Sequence, residues 1–271
     1  MQFNLYKQNP RQLNTLSPPN SQILALVGIF KNEGHILEEW IQHYIREGVD
    51  IFYLIDNGST DNYIDKIQPY INSGKVVLNI DDTKYQQSLL YNKYYLDVCK
   101  QSAWTIVVDL DEFLYSRNGF NTIKEYLNSV NTSICRIMIP WKMYGSNGFI
   151  NQPEEVIQSF TKRQQYTNNY NINTKTIVRG NALIRLDIHN SYVKNDNTIN
   201  GNMRINEKIL HSSNLHLNHY AIQSIDFFTK IKMTRGDVNY KNSNNVRNFE
   251  YFQKYDHNDI VDDELKNKIY K

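Results

Sequence analysis

A chain of 271 residues with 40% hydrophobic content is long enough to bury one substantial core, which excludes a wholly disordered protein. Thirty basic against 28 acidic side chains leave a formal charge of +2, so no strong field draws nucleic acid to it. The two cysteines, Cys99 and Cys135, are spaced for neither a disulfide framework nor a zinc site.

Residues 1–21, with Pro10, Pro18 and Pro19, read as an extended lead-in that lacks the apolar stretch of a secretory signal. No run of about 18 apolar residues occurs in the chain. A cytosolic chain without a membrane span is the expectation, either whole or as part of a longer protein. The sequon Asn57-Gly58-Ser59 is compatible with it, since a glycan there would obstruct the site described below. The apolar run from Ile23 to Phe30 has no alternation and suits a strand covered on both faces. Ile36, Leu37, Trp40, Ile41, Tyr44 and Ile45 follow at helical spacing, with Asn32 or Gly34 at the start and Gly48 at the end. A second strand spans Ile51–Ile55, and Ser59 or Thr60 is expected to cap a helix over about 61–72. A third strand at Val76–Ile80, a helical stretch at 85–101 and a fourth strand at Trp104–Val108 complete a β-α-β-α-β-α-β alternation. That pattern predicts parallel strands joined by right-handed crossovers, with ligands bound beyond their carboxyl ends. Those ends are 31–33, 56–58, 81–82 and 109–112.

A helix at 121–129 and a strand at Ile134–Ile139 extend the sheet, and 140–220 mixes short strands with Asn-rich loops, including an excursion at 195–206. Ser224 opens a helical run that stops near Gly236. The reading is therefore a lead-in (1–21), one catalytic domain (22–240) and a charged C-terminal tail (241–271). Within the domain, about 22–115 would bind a donor and about 116–240 would form an irregular acceptor side.

The chemistry concentrates where the fourth strand runs into Asp109-Leu110-Asp111-Glu112. In an extended segment alternate side chains share a side, so Asp109 and Asp111 would offer two hard oxygen ligands to Mn²⁺ or Mg²⁺, leaving positions open for phosphates. At the neighbouring strand ends, Lys31, Asn32 and Glu33, with Asp56 and Asn57, would approach a nucleotide. A carboxylate there accepts hydrogen bonds from a uracil imide or a ribose hydroxyl, or else Glu33 caps a helix and Asp56 closes a turn.

Ile29-Phe30-Lys31-Asn32-Glu33, Glu38-Glu39-Trp40, His43-Tyr44, Ile55-Asp56-Asn57-Gly58-Ser59-Thr60-Asp61 and Val108-Asp109-Leu110-Asp111-Glu112-Phe113 together resemble the family 2-like and family 92-like glycosyltransferases. The likeness covers about residues 23–115 and continues more thinly through Trp141 to Ser146, 175–179 and His219-Tyr220 with Ser224-Ile225-Asp226-Phe227. It implies a GT-A (Rossmann-like) α/β fold with a mostly parallel central sheet, a nucleotide-diphosphate sugar donor, a divalent metal and inversion at the anomeric carbon. A UDP-hexose and a glycan, protein or small-molecule acceptor are the expected substrates. His219, or failing it His216, would complete the metal shell with Asp109 and Asp111, and Asp111 would approach the ion most directly. Lys175, Arg179, Lys232 and Arg235 would neutralise the departing diphosphate. Asp226 leads as the base because it matches an acidic family position, with Asp187, then Glu154, Glu155 and Glu207, behind it. Trp141 and Tyr144 are candidate stacking surfaces for the acceptor. Two other readings stand: a metal-dependent nucleotidyltransferase, which should carry the Gly-rich phosphate loop absent at 31–35, and a non-catalytic binding domain of the same fold.

Overall fold

The computed structural model describes residues 22–168, 170–199, 204–235 and 247–268. The expected lead-in of 1–21 and the stop near Gly236 lie outside them. The first half contains β1 (Leu24–Phe30), α1 (Gly34–Arg46), β2 (Ile51–Asp56), α2 (Ile64–Asn72), β3 (Val76–Ile80), α3 (Gln87–Lys100), β4 (Trp104–Val107), β5 (Glu112–Ser116), α4 (Ile123–Ser129) and β6 (Arg136–Met143). The second half contains α5 (Val156–Ser159), β7 (Lys162–Arg163), β8 (Tyr170–Asn171), β9 (Thr174–Arg179), β10 (Leu183–Arg185), β11 (Tyr192–Val193), β12 (Thr198–Ile199) and β13 (Arg204–Ile205). It closes with α6 (Glu207–Ser212), β14 (Leu215–His219), α7 (Ile225–Lys230), α8 (Phe249–Tyr255) and β15 (Ile260–Val261).

The main sheet has the order β3-β2-β1-β4-β9-β6-β14-β5, with β12 beside β6. β3, β2, β1 and β4 are parallel, as the alternation predicts. β9 runs antiparallel to both β4 and β6, whereas β6 and β14 are parallel and β5 returns antiparallel to β14. The reversed strands bring residues from the second half to the carboxyl ends of the first four.

The uninterrupted apolar run of β1 is explained by a core on each face. Leu24, Leu26 and Phe30 pack with Trp40, Ile41 and Tyr44 of α1 and Ile67 of α2. Val27 and Ile29 face the opposite way, toward Leu90, Tyr91 and Tyr95 of α3. Burying each such side chain contributes roughly 1.5–3 kcal/mol. α2 begins at Ile64, later than expected, and neither Ser59 nor Thr60 caps it. Their hydroxyls are engaged elsewhere: the Asn32 amide donates to Ser59 Oγ at 2.9 Å, and Thr60 Oγ1 donates to Asn32 Oδ1 at 3.3 Å. The clasp ties the β1 loop to the β2 loop and holds Asn32 at a left-handed φ of 54°.

Residues 247–268, read from the sequence as part of the tail, pack back onto the domain. Phe252 joins a cluster with Met143, Ile222 and Phe228, and Leu265 enters the main core. Asp262 lies 2.7 Å from the buried Lys142 ammonium and 2.5 Å from Arg163 Nε.

Candidate active site

β4 ends at Val107, and the chain reverses through 108–111 into β5. The Glu112 amide donates to the Asp109 carbonyl at 3.2 Å while the Asp109 amide donates to Glu112 Oε2 at 2.9 Å. Asp109 and Asp111 therefore sit on a closed turn and not on the extended segment expected from the strand pattern. Glu112, whose side chain closes the turn, is the reason. α1 supports it from below: Trp40 Nε1 donates to the carbonyls of Asp109 and Glu112 at 3.2 and 3.0 Å, and the Tyr44 hydroxyl donates to the Glu112 carbonyl at 3.0 Å.

Each aspartate has its own cation. Lys175 Nζ, from β9, lies 2.6 Å from Asp109 Oδ2 and 3.3 Å from Glu112 Oε2, and Gln87 at the start of α3 donates to Asp109 Oδ1 at 2.9 Å. Lys232 Nζ lies 2.6 Å from Asp111 Oδ2 and 3.1 Å from Glu33 Oε1. Arg235 completes the group, with Nη2 at 2.7 Å from Glu33 Oε1 and Nη1 at 2.6 Å from the Lys31 carbonyl. Burial would raise the pKa of Glu33, but Arg235 and Lys232 outweigh it and hold the carboxyl at about 2. Burial likewise opposes ionisation of Asp111, and the Lys232 ammonium outweighs it and holds the carboxyl well below the usual range. Glu112 is the exception. Burial dominates there, and with Asp109 and Asp111 as neighbours its pKa rises well above normal despite Lys175.

The antiparallel register of β14 on β5 sets His219 opposite Glu112. His219 Nε2 lies 3.5 Å from Asp111 Oδ1 and 4.0 Å from Glu112 Oε1, and one ligand atom from each of the three residues falls within 4.8 Å of the others. All three are buried, and burial keeps the His219 pKa low, in the neutral form a metal ligand requires. Glu112 Oε1 is a buried acceptor with no hydrogen-bond partner among the described residues. A divalent ion fits that set: it would supply the missing partner to an oxygen already aimed at two other donor atoms.

The other sequence candidates fall into two groups. Asp56 ends β2 opposite Phe30, at the same carboxyl edge of the sheet, taking the Ser59 amide on Oδ1 at 2.8 Å and the Tyr63 hydroxyl on Oδ2 at 2.9 Å. Asn57 lies beside it, its amide donating to the carbonyls of Asp81 and Thr83 at 2.7 and 3.0 Å. Asp187 flanks the site through Ser88 Oγ, 3.2 Å from its Oδ2, while its Oδ1 takes the amides of His189 and Asn190. Trp141 is partly exposed and packs its ring 4.2 Å from that of His219 and 5.4 Å from that of His189. Asp226, by contrast, is paired with Lys230 at 2.6 Å one turn along a surface helix.

His216 is three residues from His219 on the same strand, so it faces the other way and meets Glu264 at 2.9 Å. Arg179 pairs opposite Trp104, at the far end of β4, because β9 runs antiparallel to it. Tyr144 is buried against Tyr220 and donates to the Asp262 carbonyl, which makes it core and not an acceptor surface. Glu154 and Glu155 are exposed, and Glu207 is taken by Arg163 at 2.8 Å. Sequence reasoning missed Glu112, Gln87 and His189. Glu112 stood next to the two aspartates, and its place on a buried strand was the available signal.

Acids and ammonium groups gathered beyond the carboxyl ends of a mainly parallel, helix-flanked sheet define a protein of the GT-A class. The chain belongs to glycosyltransferase family 92, whose sequence model matches residues 26–268. A curated family 92 protein from Ricinus communis is 22% identical over 165 residues, which cover 59% of this chain and 29% of that protein. The chain thus spans less than a third of that relative's length. Among solved structures, it is similar to residues 1–349 of S. aureus TarS in complex with UDP-GlcNAc, at 16% identity and a TM-score of 0.36 over 58% of this chain and 45% of that one. GalNAc-T7 with UDP, GalNAc and Mn²⁺ matches at 11% identity and a TM-score of 0.40 over 76% of this chain and 45% of that one.

Proposed function

We propose that this chain is a metal-dependent glycosyltransferase that moves a hexose from a nucleotide-diphosphate sugar, UDP-linked by preference, to an acceptor hydroxyl with inversion. The observation that carries the reading is the convergence of Asp111, Glu112 and His219 around Glu112 Oε1, which has no hydrogen-bond partner among the described residues. A buried acceptor left unpaired costs about 1–3 kcal/mol, which an ion would relieve. Two carboxylates and an imidazole suit Mn²⁺ better than Mg²⁺. Bound there, the ion would offset charge on the departing diphosphate.

The chain's own groups carry the rest. Asp111, Glu112 and His219 would hold the ion, and Asp109, kept in place by Lys175 and Gln87, would serve the ribose. Among the described residues each Asp56 oxygen takes one hydrogen bond, which leaves a second lone pair for the base or ribose, and Lys31, Asn32 and Asn57 shape that end of the pocket. Lys232 and Arg235 supply positive charge at the phosphates. As the acceptor oxygen attacks the anomeric carbon and the bond to the diphosphate breaks, a carboxylate takes the hydroxyl proton. Asp226 and Asp187 are the two candidates: Asp226 carries one exposed surface pair with Lys230, and the loop of Asp187 leads through His189 to Trp141 beside His219.

The catalytic unit spans residues 22–240, with the packed segment 247–268 completing its core, in a cytosolic setting. No described helix is long and apolar enough to cross a membrane. The test is hydrolysis and transfer across a panel of nucleotide sugars, with Mn²⁺ and with EDTA. Donor cleavage that is lost in EDTA and restored best by Mn²⁺ is expected. Full activity in EDTA overturns the metal assignment, and no binding of any nucleotide overturns the enzyme.

A further inference from the structure

The acidic group that fits an ion already contains a cation. Lys232 is 1% exposed, with its ammonium between Asp111 Oδ2 and Glu33 Oε1 and 5.6 Å above the Phe227 ring. Asp111 thus faces Lys232 with one oxygen and His219 with the other. A divalent ion bound through Asp111 would share that carboxylate with a buried ammonium, and two cations on one small anion in a poorly solvated site repel strongly. Glu33 does not depend on Lys232, since Arg235 Nη2 also lies 2.7 Å from its Oε1. Lys232 is therefore the member of the group that can leave without stranding a negative charge.

Resting on the metal-dependent reading above, we propose that Lys232 is an internal counterion that leaves Asp111 when the ion arrives and is taken up by the diphosphate of the nucleotide. Lysine suits the exchange: its ammonium is a point charge on a flexible stem, unlike the forked guanidinium of Arg235, which also holds the Lys31 carbonyl. The ion alone must displace the ammonium from Asp111 and leave it only Glu33, a carboxylate that Arg235 already holds. With the diphosphate present, the ammonium has a new partner. Metal and nucleotide then bind cooperatively, and linkage requires each to tighten the other by the same factor.

The experiment is a Mn²⁺ titration, free Mn²⁺ being read by electron paramagnetic resonance, on the full chain and on Lys232→Met and Lys232→Arg, with and without UDP. For the unmodified chain, UDP is expected to tighten Mn²⁺ about tenfold or more. Lys232→Met should bind Mn²⁺ alone about tenfold tighter than the unmodified chain and gain little from UDP, because the competing charge is gone. Lys232→Arg, which keeps the charge, should resemble the unmodified chain when Mn²⁺ is added alone. Equal affinity of Lys232→Met and the unmodified chain for Mn²⁺ alone, with both folded by circular dichroism, overturns the exchange and leaves the metal site standing. UDP binding without Mn²⁺ binding in any variant overturns the metal reading itself, and the exchange with it.

Discussion

Asp109 and Asp111 stand two positions apart on one turn, yet different lysines claim them: Lys175 Nζ is 2.6 Å from Asp109 and Lys232 Nζ is 2.6 Å from Asp111. Lys175 arrives on β9 and Lys232 on the turn after α7, so the two carboxylates feel each other's charge but are paired with different cations. Only Asp111 shares its neighbourhood with His219 and the partnerless Glu112 oxygen.

That division predicts different phenotypes for the two aspartates. Asp111→Asn should abolish Mn²⁺ binding and lower turnover by about a thousandfold, equivalent to roughly 4 kcal/mol at the transition state. His219→Ala should cost less, because water can take its coordination position. Asp109→Asn should retain Mn²⁺ binding while slowing transfer. Calorimetric titration with Mn²⁺ beside single-turnover rates decides the matter, and equal loss of metal in both aspartate variants would show that the turn acts as one ligand.

Lys175 is buried with its ammonium on Asp109 and Glu112, so removing it strands negative charge. Lys175→Met is expected to destabilise the fold by about 3–5 kcal/mol, the usual result of breaking a buried pair from one side. Urea unfolding measures it. A loss below about 1 kcal/mol would mean that solvent reaches the pair.

At the β2 end, the Tyr63 hydroxyl and the Ser59 amide hold Asp56. Asp56→Ala should weaken UDP binding roughly 10- to 100-fold if the carboxylate also reaches the nucleoside, the range for a hydrogen bond to a charged group. Tyr63→Phe, which removes only the internal bond, should change UDP affinity little. Matching losses in the two variants would reduce Asp56 to a structural turn residue.

The C-terminal segment gives a prediction about acid. Burial raises the pKa of Asp262, but Lys142 and Arg163 override it and depress the carboxyl below its ordinary value. A depressed folded-state pKa means that the stabilisation is fully present above the unfolded value, about 4, and is lost as pH falls through the lower folded value. Asp262→Asn should therefore lower the melting temperature strongly at pH 7, and the gap from the unmodified chain should narrow below pH 4. A gap that stays constant down to pH 3 would rule out the ion pairs as its source.

The first half of the fold was legible because its signals are local. An apolar run without alternation, as in Ile23–Phe30, must be covered twice, and helical spacing from Ile36 to Ile45 must present one face. These two periodicities fix the parallel layers and hence the edge where Asp56 and Asp109 emerge. Asp109, Asp111, His219, Lys175 and Lys232 were all nameable from residue type and order. Their partners were not. Whether an acid on the turn meets His219, Lys175 or Lys232 depends on the antiparallel return of β9 and on the register of β14 against β5, which set residues far apart in the chain side by side. Glu112 shows the difference most sharply: in sequence it is one more acid beside two others, and only the closed turn, the strand behind it and His219 opposite leave its outer oxygen buried without a partner among the described residues. Local sequence governs periodicity and capping over a few residues, whereas pairing across the sheet is decided by which buried faces can be satisfied together, and that is a property of the whole packed chain.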